Sequence, residues 1–457
     1  VLPPVPQTSR LPRTVIVVGG GLAGITSALA CADAGAEVTL YESRRSLGGA
    51  ASSVRLGGLE VDAGQHVFLR CCSAYRRLLR RLRSDHLTEL QERMDIVVLH
   101  RDGRRGRLRR NGLPAPLHLA RSLATYPFLT PSERGRAALT AVELGGLETE
   151  DRRLDSQTFG SWLAAHGQTT GAIASLWNLI GQSTLNLRAD QASLLLAARV
   201  FQTGLLARTA AADIGASTVP LARLHAAPAM TALREAGVAV NLGAPVQSLA
   251  GEASGCRVAT RHRSARADAV ILAVPPARAA RLLPPGALPG GVDLTALGAS
   301  AIVSAHVVYD RPVMPCAFVA ALDSPVQWAF DRSRYAGLER GRYLTVTISD
   351  ANDLLREPVA ELRDLLLPAL AQLLPAAREA RVERFLVTRV RAATFRQAPG
   401  SARHRPGPRT ALPGLFLAGA YTDTGWPDTM ESAVRSGLRA AGQALGAQAH
   451  EGARGAA

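Results

Sequence analysis

The sequence predicts an α/β protein organised on a parallel sheet whose strands come from separated stretches of chain. Three observations predict it. Residues 14–42 read TVIVVGGGLAGITSALACADAGAEVTLYE: a β-branched strand, a glycine-rich turn, an Ala/Leu-rich helix and a second strand. Residues 239–274 return to short β-type runs. Residues 415–441 repeat strand, glycine and helix at the far end of the chain.

The first unit carries recognisable chemistry. Gly19, Gly21 and Gly24 form G-x-G-x-x-G directly after strand 14–18. Gly19 allows a tight turn, Gly21 lets a pyrophosphate approach the backbone, and Gly24 lets helix and strand pack closely. The helix beginning at Leu22 and Ala23 offers free N–H groups and a partial positive charge to phosphate. Glu42 ends the second strand, 37–41, and is placed to accept hydrogen bonds from ribose hydroxyls. An acid there serves FAD and NAD alike.

The doublet Gly48-Gly49 follows at close range, and 53–56 with 59–62 predict a hairpin around Gly57-Gly58. Residues 62–66, DAGQH, read as a polar turn. Residues 71–82 predict a helix with Tyr75, Leu78, Leu79 and Leu82 on one side and arginines on the other. A hairpin is expected at 96–100 and 107–109. Pro114, Pro116, Pro127 and Pro131 make 111–131 a connection, and 132–212 is mainly helical. A helix at 228–236 leads to strands at 239–242, 246–249, 256–260 and 269–274. Runs at 299–309, 327–330, 343–348 and 385–391 suggest a second sheet, with a helix at 359–374 that contains Pro368. Strand 415–418 precedes a polar loop and a helix at 429–441, for which Asp428 reads as an N-cap. That helix N-terminus can face a flavin ring. The expected division is a flexible lead at 1–13, dinucleotide-binding parts at 14–95, 220–284 and 409–445, substrate and cap parts at 96–219 and 285–408, and a flexible tail at 446–457.

All 53 basic side chains are arginine, and the net charge is +16. Without lysine, Schiff-base or general-base lysine chemistry is excluded. Clusters at Arg76, Arg77, Arg80, Arg81 and Arg83 and across 101–110 imply either a solvated basic face or contact with anions. No nucleic-acid module accompanies them, and 4% aromatic content suits base stacking poorly. An anionic membrane surface is the remaining partner, with apolar 193–206 as the segment expected to draw lipid from it. Five cysteines without C-x-x-C spacing suggest neither a disulfide framework nor a metal site, and a cytoplasmic location. No apolar run reaches the ~18 residues that span a bilayer, and the first residues lack a signal-type apolar core. Any membrane contact is expected to be peripheral, at the inner face.

Together, VIVVGGGLAGITSALACADAGAEVTLYE, the Gly48-Gly49 doublet and LFLAGAYTDTGWPDTMESAVRSGLRAA resemble the flavin-containing amine oxidase and phytoene desaturase superfamily. The resemblance implies a Rossmann-like FAD-binding domain built from discontinuous segments, with an α+β substrate domain and a helical cap. It selects FAD over NAD. Two phrases, DAGQHVFL with CCSAYRR (62–77) and TDTGWPDTME (422–431), are similar to those of FAD-dependent hydroxysqualene dehydroxylases of squalene and hopanoid biosynthesis.

By resemblance, Gly19, Gly21, Leu22, Ala23 and Gly24 hold pyrophosphate. Glu42, with Ser43 and Arg44, serves the adenosine ribose, and the backbone at Val246 meets adenine. Gly48, Gly49 and Ala50 form the doublet segment; Gly419, Thr429 and Met430 form the flavin end. Many relatives carry Arg where this chain has Ala50, which leaves Arg44, Arg45 and Arg55 as candidates to supply that charge. The lack of lysine makes amine oxidation a poor fit. The implied reaction is reductive loss of an allylic hydroxyl from hydroxysqualene. The chemistry of an allylic alcohol, and not the resemblance, suggests the steps: an acid protonates the hydroxyl, water leaves, and reduced flavin, refilled by an unnamed electron donor, supplies hydride. The acid candidates are His66, Asp428 and Tyr421, with Asp423 and Glu431 behind them. The competing expectations are a carotenoid-type desaturase or isomerase and a non-catalytic isoprenoid-binding protein.

Overall fold

The structure, a computed structural model, describes residues 13–252 and 255–446. The expectations for a lead before Arg13 and a tail after Gly446 lie outside the described residues. Five parallel strands form the central sheet in the order Ala239–Asn241, Glu37–Tyr41, Thr14–Val18, Ala269–Leu272, Leu415–Leu417. The sheet therefore sets side by side strands from the start, the middle and the end of the chain. The alternation of side chains along Thr14–Val18 explains why the sheet is buried on both faces. Val15 and Val17 pack with the helices Leu22–Asp33, Ser73–Arg81, Ala227–Glu235 and Met430–Ala444. Ile16 and Val18 face the antiparallel sheet Val246–Glu252, Gly255–Thr260, Ser264–Ala267.

A seven-stranded sheet runs Val382–Thr394, Ser300–Tyr309, Tyr343–Ser349, Trp328–Asp331, Phe318–Leu322, Asp95–His100, Arg105–Arg109. It contains the four strand-like runs read from the sequence. Phe318–Leu322 was not among them, and the hairpin Asp95–His100/Arg105–Arg109 joins the same sheet through it. Val303, Ala305, Val307 and Tyr309 pack one face against helix Val359–Leu373. Pro368 sits inside that helix, where it removes one backbone donor without ending it.

The cap region is helical, as its periodicity predicts: Pro131–Gly145, Phe159–Ala165, Asn178–Leu185 and Leu194–Phe201. One expectation there fails. Leu194, Leu195, Leu196, Ala197, Ala198 and Phe201 are buried among the other cap helices, so 193–206 is core and does not meet lipid. Apolar content alone does not separate a helix buried on all sides from one that lies on a bilayer. Among the described residues, no helix is long and apolar enough to cross a membrane.

Candidate functional site

The glycine loop is built by close approach. Gly19 has φ +111°, and a Cβ there would overlap the Ala273 carbonyl; a Cβ at Gly24 would overlap the Gly19 carbonyl. Both glycines are therefore required by protein backbone alone. Gly21 differs: a Cβ there would have only the Gly49 Cα, 3.8 Å away, as a neighbour. Gly21 is also the N-cap of Leu22–Asp33 and has no side chain to cap it, so the buried first-turn N–H groups of Leu22 and Ala23 are left for a ligand. The Gly48-Gly49 doublet closes the other side, with the Gly48 N–H donating to the Gly20 carbonyl at 2.8 Å. This cradle of free N–H groups and open backbone fits a pyrophosphate.

Glu42 is tied into the same loop. Its carboxylate accepts from the Gly20 N–H (2.6 Å), the Arg44 N–H (2.7 Å) and the Ser43 hydroxyl (3.0 Å). The Ala244 N–H donates to the Glu42 carbonyl, which brings the approach to Val246 beside it. The carbonyl of Val246 is taken by Arg278. All three candidate arginines are exposed, and of them Arg44 donates through Nη1 to the Gly49 carbonyl at 3.0 Å, next to Ala50.

The far end of the chain docks onto this unit. A Cβ at Gly437 would overlap the Ala23 carbonyl, so helix Met430–Ala444 crosses Leu22–Asp33 at backbone contact. The Gly419 N–H donates to Ser436 Oγ at 2.8 Å. Thr429, not Asp428, caps the helix, accepting from the Ser432 N–H. Asp428 points elsewhere: its Oδ2 accepts the Phe395 N–H at 2.8 Å. Burial raises its carboxyl to about 6, opposed by that bond and by the Arg405 charge. Arg405 lies buried over the Phe395 ring and donates to the carbonyls of Ala420, Tyr421, Thr422 and Trp426, which fixes the loop. The Tyr421 hydroxyl is buried with no partner among the described residues, and burial raises its pKa, so it stays a neutral donor. Asp423 is held by Arg152 and Arg199.

Glu431 does not serve its own helix. Its carboxylate accepts from the N–H groups of Ala74 and Tyr75 at the start of Ser73–Arg81, and pairs with Arg435 at 2.7 Å. Glu431→Ala should therefore lower stability by roughly 3 kcal/mol, because two buried donors lose a charged acceptor. A urea midpoint unchanged by this substitution would contradict the capping role.

His66 lies in the polar turn read from the sequence. Its Nδ1 is 2.7 Å from the Gly64 carbonyl, so that nitrogen carries the proton and Nε2 is an acceptor. Burial lowers its pKa, and the Arg332 charge lowers it further against the Gly64 bond and Asp62. Asp62 is raised by burial and accepts from the Leu221 N–H and Ser53 hydroxyl. Arg332 is the residue that the sequence reading missed. It is buried between the Phe330 and Tyr335 rings, donates through Nε to Gln65 at 2.8 Å, and leaves Nη2 without a partner among the described residues.

The face of the seven-stranded sheet opposite Val359–Leu373 carries Ser304, His306, Thr345, Thr347 and Thr388 in register. His306 is held by Tyr343 (2.9 Å) and Thr388 (3.2 Å), and burial lowers it to about 4. The signal was present: Ser300, Ser304 and His306 recur at even positions in an otherwise apolar strand. A Cβ on Gly64 would meet Val390 of this sheet and His66, both at 3.8 Å, so the polar face adjoins the His66 turn.

A profile of the flavin-containing amine oxidoreductases matches residues 22–445. The chain belongs to that family. It is thus a flavin-dependent oxidoreductase, in keeping with the cradle and the two-ended site. Among its relatives is a hydroxysqualene dehydroxylase of Rhodopseudomonas palustris, 29% identical over 95% of this chain and 99% of the relative. A zeta-carotene desaturase of Arabidopsis thaliana is 24% identical over 96% and 87%. The fold is shared with putrescine oxidase (TM-score 0.74, 20% identity, 95% of this chain and 99% of that one) and with cyclohexylamine oxidase of Brevibacterium oxydans (0.71, 18%, the same shares).

Proposed function

We propose that this chain is an FAD-dependent hydroxysqualene dehydroxylase that converts hydroxysqualene to squalene. The observation that carries the proposal is the end-to-end likeness to hydroxysqualene dehydroxylases, which spans both nucleotide-binding ends and the cap. The dinucleotide form of the flavin is supported by the Gly19–Gly24 cradle and by Glu42 beside the 244–246 approach, which together would hold the pyrophosphate and the adenosine half.

A bound, reduced flavin supplies the hydride. The protein supplies the rest. The Asp428 carboxyl, raised to about 6, gives its proton to the allylic hydroxyl, which leaves as water, and takes another from solvent. Neutral His66 accepts a hydrogen bond through Nε2 and orients that hydroxyl; with Nδ1–H committed to Gly64, it is the weaker acid candidate. Tyr421 offers a second neutral donor. The apolar cap encloses the isoprenoid and excludes water that would recapture the cation.

The likeness to zeta-carotene desaturases favours a second reading, in which hydride leaves a polyene. That reaction has no hydroxyl to protonate and gives Asp428 no proton to deliver. A substrate panel separates the two. With FAD and a chemical reductant, hydroxysqualene should yield squalene, and with FAD and a quinone, phytoene and zeta-carotene should remain unchanged. Desaturated carotenoid with no squalene would overturn the proposal.

A further inference from the structure

The four most exposed large apolar side chains among the described residues all fall between residues 113 and 142: Leu113 (50%), Leu117 (58%), Leu139 (58%) and Val142 (63%). Helix Pro131–Gly145 buries Ala137, Thr140 and Leu144 and exposes Gly135, Ala138, Leu139 and Val142. That spacing, i, i+3, i+4, i+7, makes a continuous apolar stripe on the outside of the protein. A capping box of Thr130 and Glu133 fixes the helix start. A short path of contacts links the end of this helix to the 113–117 segment. Leu206 packs at Gly145, and three residues on, Thr209 donates to the Leu113 carbonyl at 3.0 Å. Arg121, Arg136 and Arg208 stand exposed around this patch and form no ion pair among the described residues. Of the two acids on the helix, Glu133 is held by Thr130 and Thr169, and only Glu143 is exposed.

An apolar stripe rimmed by free arginines has the complementarity of an anionic bilayer surface: apolar side chains enter the acyl boundary while guanidinium groups meet lipid phosphates. We propose that this face, the helix Pro131–Gly145 with Leu113 and Leu117, docks the protein on anionic membranes. The inference rests on the proposed reaction only in that its water-insoluble substrate resides in such a membrane.

The test is sedimentation of the purified full chain with vesicles of phosphatidylglycerol and phosphatidylcholine, or of phosphatidylcholine alone, at low and high salt. Light scattering follows self-association in parallel. Binding is expected to anionic vesicles and to weaken with salt. The Leu139→Glu/Val142→Glu double variant should reduce it by roughly tenfold or more, and Arg121→Gln/Arg208→Gln should reduce it several-fold while flattening the salt dependence. These positions are exposed, so circular dichroism and bound-flavin absorbance should be unchanged. Binding that ignores these substitutions, or no binding, overturns the proposal. So does a dimer that the Glu variants dissolve, since the face would then serve a second copy. Turnover of detergent-dispersed hydroxysqualene reads the reaction separately: a parent protein that turns the substrate over but does not bind vesicles removes the surface and leaves the reaction.

Discussion

Gly21→Ala is expected to give a folded protein that binds flavin markedly less tightly. At Gly21 the backbone is extended, with φ −75° and ψ 179°, which alanine adopts freely. The added methyl meets nothing nearer than the Gly49 Cα at 3.8 Å. Apoprotein stability should thus stay within about 0.5 kcal/mol of the parent. The same methyl occupies the space through which a pyrophosphate reaches the Leu22 and Ala23 N–H groups. Overpacking of ~1–3 kcal/mol corresponds to roughly 5- to 150-fold weaker binding. Gly24→Ala is the contrast: its methyl overlaps the Gly19 carbonyl, so both the apoprotein and the flavin complex should suffer. Flavin titration followed by fluorescence, with thermal unfolding of the apoproteins, distinguishes the two. A Gly21→Ala protein that binds FAD with parental affinity would show that the dinucleotide does not cross the loop there.

Asp428→Asn should retain flavin and lose between ~10² and 10⁴ in the rate of squalene formation, the range for a positioned acid. Asparagine still accepts the Phe395 N–H, so the backbone it braces should not move. The pH dependence carries a sign. With the carboxyl raised to about 6, the protonated fraction, and with it the parental rate, falls about tenfold per pH unit above that value. The stability dependence runs the same way. The native carboxyl holds its proton between pH 3.8 and about 6, where the unfolded chain has released it. The stability so contributed is present at low pH and lost as pH rises through that window. Asp428→Asn should remove both slopes. An unchanged rate and pH profile would return the acid role to Tyr421 or His66.

The nucleotide-binding half was legible because local backbone demands write themselves into sequence. Gly19 takes a positive φ and Gly24 faces the Gly19 carbonyl, demands that a short window contains, and Glu42 follows one strand later. The hairpin at Gly57-Gly58 was legible for the same reason, since both glycines have positive φ. What the sequence hid depends on distant partners. Asp428 precedes a helix and looks like its cap, yet Thr429 takes that bond and Asp428 serves Phe395, far away in sequence. Glu431 resembles a first-turn acid but caps a helix built from residues 73–81. Arg332 sits in FDRSRYAG with no local mark of burial; only the packing of Phe330, Tyr335 and Gln65 reveals it. The 193–206 segment, expected to face lipid, is covered, because hydropathy does not say which apolar helix is buried.

The proposed reaction turns on one event: protonation of a hydroxyl coupled to hydride delivery. Anaerobic single turnover reads it directly. Protein carrying reduced FAD is mixed with hydroxysqualene, and flavin absorbance is followed while products are quenched and extracted. Squalene should appear in step with flavin reoxidation, one per flavin, and both should slow together in Asp428→Asn. Flavin that stays reduced with hydroxysqualene unchanged would contradict the dehydroxylase assignment.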